Sequence, residues 1–350
     1  MTEFASPGQY FTTRFTQMLG VRHPVMQEGL GPYKTVALAA AVSNAGGLGT
    51  VSIPGISEEP KAGAAKLRGY IEEACTLTSL PFAVNVPVGT DKHGKVPAFS
   101  AAYVQAVVDA VKDREIAKRL RAITTSAGAP SAARRMIEGS GLIHIHKVGG
   151  TRQAIRAQQD GVDMLIASGY EAGGHTHARP VHTFVLGPSV TEAVDIPVIL
   201  AGGVRDGRGL AAALTMGAEA VALGTRFVAS HDNPDWHPNY AARILAAQEG
   251  EDILFQALYG PSRVLPSRAI AELKEYEQGA GISEEDLTRF KDERLIAGQR
   301  DGDMEGGILP CGQIAGALTE LIDVASFVPA MVSEALAVLE RVRGWTVGLR

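Results

Sequence analysis

The triplet Gly173-Gly174-His175 closes a stretch that opens at Asp163 and runs through an apolar segment, Met164 to Ala167. A short apolar run bounded by turn residues predicts a buried strand. Adjacent glycines let the backbone turn sharply and approach a flat ligand. A histidine just past the carboxyl end of a strand suits proton transfer, because its pKa lies near working pH. Gly202-Gly203 follows the apolar run Pro197 to Ala201, and Gly224-Thr225 follows Ala220 to Leu223. Glycine suits any tight strand-to-helix turn. Two such turns at neighbouring strand ends also present bare N–H groups and a helix start, the makings of a phosphate site. Lys147 ends the run Leu142 to Val148, where a cation can face a phosphate or an electron-rich ring.

Other chemistries find less support. His144 and His146 lie on the strand face opposite Lys147, since side chains alternate. No carboxylate or cysteine stands at ligand spacing, so they are expected to pack beneath helices rather than bind metal. A zinc cluster of His175, His177 and His182 is a disfavoured alternative. There is no Gly-x-Ser-x-Gly elbow, and neither Cys75 nor Cys311 sits at a strand end. Gly46 to Gly49 follows a helix and precedes a strand, the wrong order for a dinucleotide fingerprint, and reads as a helix C-cap.

These residues need elements to carry them. Strands are expected at His23–Met26, Leu48–Val51, Pro81–Val86, Ala122–Thr125, Leu142–Val148, Met164–Ala167, Pro197–Ala201 and Ala220–Leu223. A helix or long loop follows each. The strands are apolar throughout rather than alternating, as parallel strands covered on both faces are. Eight β-then-α units predict a TIM (β/α)8 barrel with its site at the carboxyl ends of the strands. Residues 1 to about 20 carry little signal. Past Phe227 the pattern changes: helices are expected near Tyr240–Gln248, over 283–297 with Ser283 as N-cap, and from Ser326 to Val342. The expected division is a barrel of residues 15–228 plus 306–350, with a helical and loop insertion, 229–305, covering the site.

At 350 residues with a net charge of −5, the composition is that of a globular protein with a sizeable core. The mild charge gives no reason to expect nucleic acid or an anionic membrane as partner. No uncharged apolar run reaches membrane-spanning length, and the amino terminus lacks a signal peptide's apolar core. Two distant cysteines fit a reducing compartment. The expectation is a cytoplasmic protein without a metal.

The motifs together resemble the nitronate monooxygenase (2-nitropropane dioxygenase) family of FMN-dependent barrels, which includes flavin enoyl-acyl carrier protein reductases and some NADH:quinone reductases. The resemblance rests on Pro24-Val-Met-Gln27, Asn44-Ala-Gly-Gly-Leu-Gly49, Glu171-Ala-Gly-Gly-His175, Ala201-Gly-Gly203, Gly224-Thr-Arg-Phe227 and the segment Gly306 to Ala317. It implies FMN as cofactor. Met26 and Gln27 would line the flavin through backbone and side chain, Asn85 would hydrogen-bond its ring system, and Lys147 would lie near the ring or ribityl chain. Gly174 would face the flavin; Gly202, Gly203, Gly224 and Thr225 would hold its phosphate. His175 would be the catalytic base or proton donor. The implied reaction is oxidation of an alkyl nitronate or nitroalkane by O2. The alternative is an NAD(P)H-linked reductase or dehydrogenase of an enoyl thioester or quinone, towards which Arg179, Lys92 and Lys95 point as a basic entrance. A binding barrel without turnover is the third class. The partner is a small molecule, and a homodimer is compatible with the resemblance. His177 departs from the family, where a glycine commonly stands two residues after the histidine.

Overall fold

Eight short strands run parallel around a common axis: Val25–Gln27, Gly49–Val51, Phe82–Pro87, Leu120–Ser126, Ile143–Val148, Met164–Ser168, Val198–Ala201 and Ala220–Leu223. Each hydrogen-bonds its neighbours in chain order, and the first also pairs with the eighth. The ring closes between the first and second strands, where Gln27 N donates to Leu48 O at 2.9 Å and Leu48 N to Val25 O at 2.9 Å. The computed structural model describes residues 10–89, 96–179, 181–257, 260–278 and 283–345. Within them the architecture is the expected (β/α)8 barrel.

Side-chain alternation divides each strand between two cores. Met26, Leu48, Ala83, Ala122, Ile145, Met164, Ile166 and Ile199 fill the barrel interior. Val84, Val86 and Ile123 on one side, and Leu165, Leu200 and Val221 on the other, pack outward under the helices. That double burial is why the strands read as continuous apolar runs.

The amino-terminal stretch is more ordered than its sequence suggests. Arg14–Leu19 is a helix capped by Thr13, and Phe15 and Leu19 are fully buried in the barrel interior. Arg14 N donates to Glu219 Oε2 at 2.6 Å and its guanidinium to Asp195 O at 2.5 Å. Both partners precede strands, so the helix plugs the end of the barrel opposite the carboxyl ends of the strands. Six residues are too few to show helical periodicity, which is why this plug was not legible.

Segment 229–305 is not helix and loop alone. Ile253–Ala257 and Gly260–Leu265 form an antiparallel hairpin. Its second strand pairs on the other side with Leu309–Pro310 and Gly174–His175, completing a four-stranded sheet. Two of those strands are two residues long and lie far off in the chain, so no local pattern announces the sheet. Helices Pro238–Leu245, Arg268–Gln278 and Glu284–Ile296 accompany it. Ser283 caps the last of these, its Oγ accepting from Asp286 N at 3.0 Å, as expected. Asp292 fastens this helix to the barrel by accepting from Ile56 N and Ser57 N at 3.2 and 2.9 Å. The terminal helix Val324–Arg343 packs on Gly207–Thr215, with Glu334 Oε2 accepting from Gly207 N at 2.8 Å. Among the described residues no helix is long and apolar enough to cross a membrane.

Candidate active site

The strand ends open into two adjoining cavities of about 90 and 450 Å3. The smaller is lined by Gly202, Gly203, Gly224 and Thr225, the larger by Asn85 and His175, and both by Lys147 and Gly174. Gly202 and Gly203 sit at φ +93° and +77°, backbone that favours glycine. A Cβ on Gly202 would stand 3.0 Å from Ala172 N, so the turn is also too tight for one. Thr225 Oγ1 accepts from Gly312 N at 2.8 Å, which fixes the segment after the insertion against the eighth strand end.

Met26 and Gln27 line neither cavity. Met26 points into the barrel interior, below the cavity floor. The Gln27 amide is spent between strands: Nε2 donates to Thr50 O at 2.8 Å and Oε1 accepts from Thr50 N at 3.3 Å. Of the expectation that both residues line a flavin through backbone and side chain, the side-chain half is thereby corrected. The turn just beyond them, Glu28 to Gly31, faces the cleft instead. A Cβ on Gly29 would lie 2.3 Å from the Asn85 side chain, so this turn packs directly on the third strand end.

Lys147 Nζ lies 3.5 Å from Glu28 Oε1, pairing charges across the cleft floor. His175 belongs to the insertion sheet: it sits opposite Ser262, Gly174 sits opposite Arg263, and Thr176 N donates to Pro261 O at 2.8 Å. Its ring is solvent-exposed where it lines the larger cavity. The protein packed around this exposed ring, then the charges of Lys147 and Lys291, lower its pKa below the ordinary histidine value. The imidazole is therefore neutral at neutral pH and able to accept a proton. Lys291, itself buried, reaches the cavity from helix Glu284–Ile296. Of the basic entrance, Arg179 is exposed, while Lys92 and Lys95 lie outside the described residues.

The sequence gives little notice of several neighbours. Glu171 accepts from Thr183 N and Oγ1 at 3.0 and 2.8 Å, and its backbone O accepts from Gln313 N at 2.9 Å. It thus ties the glycine loop to the following helix and to the segment past the insertion. His144 and His146 take no part in the site. Their rings share Thr125 Oγ1, at 2.7 and 2.8 Å, beneath the helices as expected. Among the described residues no three His, Cys, Asp or Glu side chains are grouped to hold a metal.

A profile of the family described as nitronate monooxygenase matches residues 12–334. The chain belongs to the nitronate monooxygenase family. A probable nitronate monooxygenase of Staphylococcus saprophyticus is 32% identical over 300 residues, covering 76% of this chain and 82% of that protein. A (3aS,4S,5R,7aS)-5-hydroxy-7a-methyl-1-oxo-octahydro-1H-indene-4-carboxyl-CoA dehydrogenase of Rhodococcus jostii is 29% identical, covering 93% and 96%. The structure of FabK from Thermotoga maritima superposes with a TM-score of 0.82 at 33% identity, covering 96% of this chain and all of that one (100%). The family's members are flavoenzymes acting on small molecules, and this chain is an oxidoreductase. Its cleft fits such a cofactor: Glu28 Oε2, Ser168 Oγ and both Gln299 amide atoms are buried at the cavity walls without a hydrogen-bond partner among the described residues. Buried polar groups are ordinarily satisfied, so these mark a polar ligand's place.

Proposed function

We propose that the protein is an FMN-dependent nitronate monooxygenase that oxidises alkyl nitronates with O2, and that His175 is its base when the substrate is the neutral nitroalkane. The observation that carries this reading is the His175 imidazole on the wall of a large cavity, beside a glycine cradle and a lysine. Gly202, Gly203, Gly224 and Thr225 would hold the single terminal phosphate. Asn85, Lys147 and Gly174 would border the ring system. When bound, the flavin supplies the electron chemistry. His175 takes the α-proton of a nitroalkane onto a ring nitrogen, leaving the electron pair on the nitronate. Its low pKa keeps it unprotonated and ready, and also makes it a mild base. Lys147 and Lys291 place positive charge where the nitronate's negative charge develops. A nitronate supplied as the anion needs no base.

The test is oxygen uptake by the yellow protein with an alkyl nitronate and, separately, the parent nitroalkane, without nicotinamide. His175→Asn is expected to keep its flavin and its nitronate turnover and to lose about 10²- to 10⁴-fold in nitroalkane turnover. Undiminished nitroalkane turnover would remove His175 from the role of base.

A second reading is favoured by the larger cavity's walls. Ile53, Ile56, Phe255, Leu295 and Ile308 line it together with Lys291, a setting for a bulky acyl group with an anionic end. The relative acting on a carboxyl-CoA is in line with that. Rapid anaerobic bleaching of the flavin by NADH or NADPH, with no oxygen uptake on nitronate, would select the thioester reductase or dehydrogenase.

A further inference from the structure

Gln299 lies in the π-helical turn Ala297–Asp301 that continues helix Glu284–Ile296. Such wide turns recur at functional sites. The turn is held on both flanks. Gln299 O accepts from His237 N at 2.6 Å, and Asp303 N donates to Ala297 O at 3.2 Å. Gly298 and Gly307 meet so closely that a Cβ on Gly307 would lie 2.7 Å from Gly298 Cα. The backbone so fixed sends the Gln299 side chain inward, to the wall of the smaller cavity that faces the glycine cradle.

That side chain is 0% exposed, and neither Nε2 nor Oε1 has a hydrogen-bond partner among the described residues. A Cβ on Gly31 would be 3.5 Å from Nε2, which sets the amide against the first strand's turn. An amide buried this way forgoes its bonds to water and gains none from protein. Trp236, Val228 and Ile314 line the same cavity, so its wall is partly apolar where this unpartnered amide is buried.

We propose that Gln299 is a flavin-binding residue, its amide hydrogen-bonding the ribityl–phosphate portion of the cofactor from the side opposite Gly202, Gly203 and Gly224. The inference rests on the FMN reading above. It assigns part of the cofactor's affinity to the insertion, since the glycine cradle belongs to the barrel. It also explains how an orphaned amide is tolerated: the holoprotein satisfies it.

Apoprotein prepared by removing the flavin would be titrated with FMN by fluorescence quenching, for the wild type and Gln299→Met. Methionine keeps the length and shape of the side chain and discards the amide. The expected result is an FMN Kd raised about tenfold or more, as loss of one or two hydrogen bonds predicts. The variant apoprotein should melt no lower than wild-type apoprotein, because the unsatisfied amide is gone. An FMN Kd within twofold of wild type overturns the inference, as does an apoprotein destabilised as much as the holoprotein, which would mark a purely structural glutamine. If Gln299→Met does not fold, Gln299→Asn serves. It keeps a neutral amide but withdraws it by one methylene, and unchanged affinity again overturns the inference. Wild-type apoprotein that takes up no FMN would defeat the cofactor reading itself, a result distinct from a variant that binds as well as wild type.

Discussion

Replacing Arg263 by lysine tests whether the insertion, rather than the barrel, holds His175 in place. Arg263 is 2% exposed and pairs with buried Asp252. Its Nε and Nη2 both donate to Tyr170 O, at 3.1 and 2.9 Å, and its Cζ stands 4.3 Å from the centre of the Tyr170 ring. The same residue lies opposite Gly174 in the sheet, so one arginine grips the glycine loop at both ends. Lysine can keep the charge pair with Asp252, but it cannot fork onto the carbonyl or stack as a plane. Losing the forked hydrogen bonds removes about 1.5–3 kcal/mol, and losing the ring contact about 0.5–1 kcal/mol more. Opening of the Gly174–Thr176 segment should therefore become easier by about 2–4 kcal/mol. At 1.4 kcal/mol per decade, this is a roughly 30- to 1,000-fold rise in amide exchange at Gly174, His175 and Thr176. Hydrogen exchange read by NMR or by mass spectrometry of short peptides checks it. The barrel strand Met164–Ser168 should keep its protection and the flavin should stay bound. Turnover of a neutral nitroalkane should fall while that of the preformed nitronate holds. Unchanged exchange at 174–176, or an equal rise in Met164–Ser168, would refute the reasoning.

Gly173→Ala should strip the flavin and lower the melting temperature, because the new Cβ would meet the Cys311 carbonyl carbon and Gly312 N, each at 2.6 Å. Gly150→Ala, which has open space around it at φ −168°, is the silent control, and absorbance at the flavin bands with a melt reads both. Stability should also fall on acidification. Burial, the largest cause in each case, lowers the pKa of His23 to about 4, of His144 to about 3 and of His146 to about 4. The folded values lie below the unfolded value of 6.5, so the unfolded chain binds protons first. The stability is fully present above about pH 6.5 and is lost as pH falls towards 4 and 3. Each histidine contributes up to about 1.4 kcal/mol per pH unit in that window. His146→Asn should flatten a plot of urea unfolding free energy against pH by roughly that slope, and an unchanged slope would rule His146 out as a source.

Much of the barrel is visible in the chain because its determinants are local. Runs such as Val198–Ala201 and Ala220–Leu223 are apolar on both faces, and parallel strands between a filled interior and a layer of helices must be. Gly202-Gly203 and Gly224-Thr225 announce themselves at strand ends for a similar reason, since the turns there are local, and at Gly202 and Gly203 the backbone takes a positive φ that favours glycine. The placement of His175 after a strand and two glycines was legible on the same grounds. Met26 and Gln27 show the limit of motif reading. They stand in a cofactor motif, yet strand alternation turns one into the barrel and the pairing with Thr50 consumes the other.

Composition and periodicity thus determined the fold, the face that carries the site and the glycine turns that floor it, because each depends on residues adjacent in sequence. Only the tertiary structure brought Lys147 and Lys291 from separate elements to the neighbourhood of His175, where their charges lower its pKa. Only it joined Gly174–His175 to a sheet whose other strands lie across Ile253–Pro310, and only it set Gln299 against the cradle. These are contacts between residues far apart in the chain. They exist only in the folded chain, and no short window of sequence contains both partners.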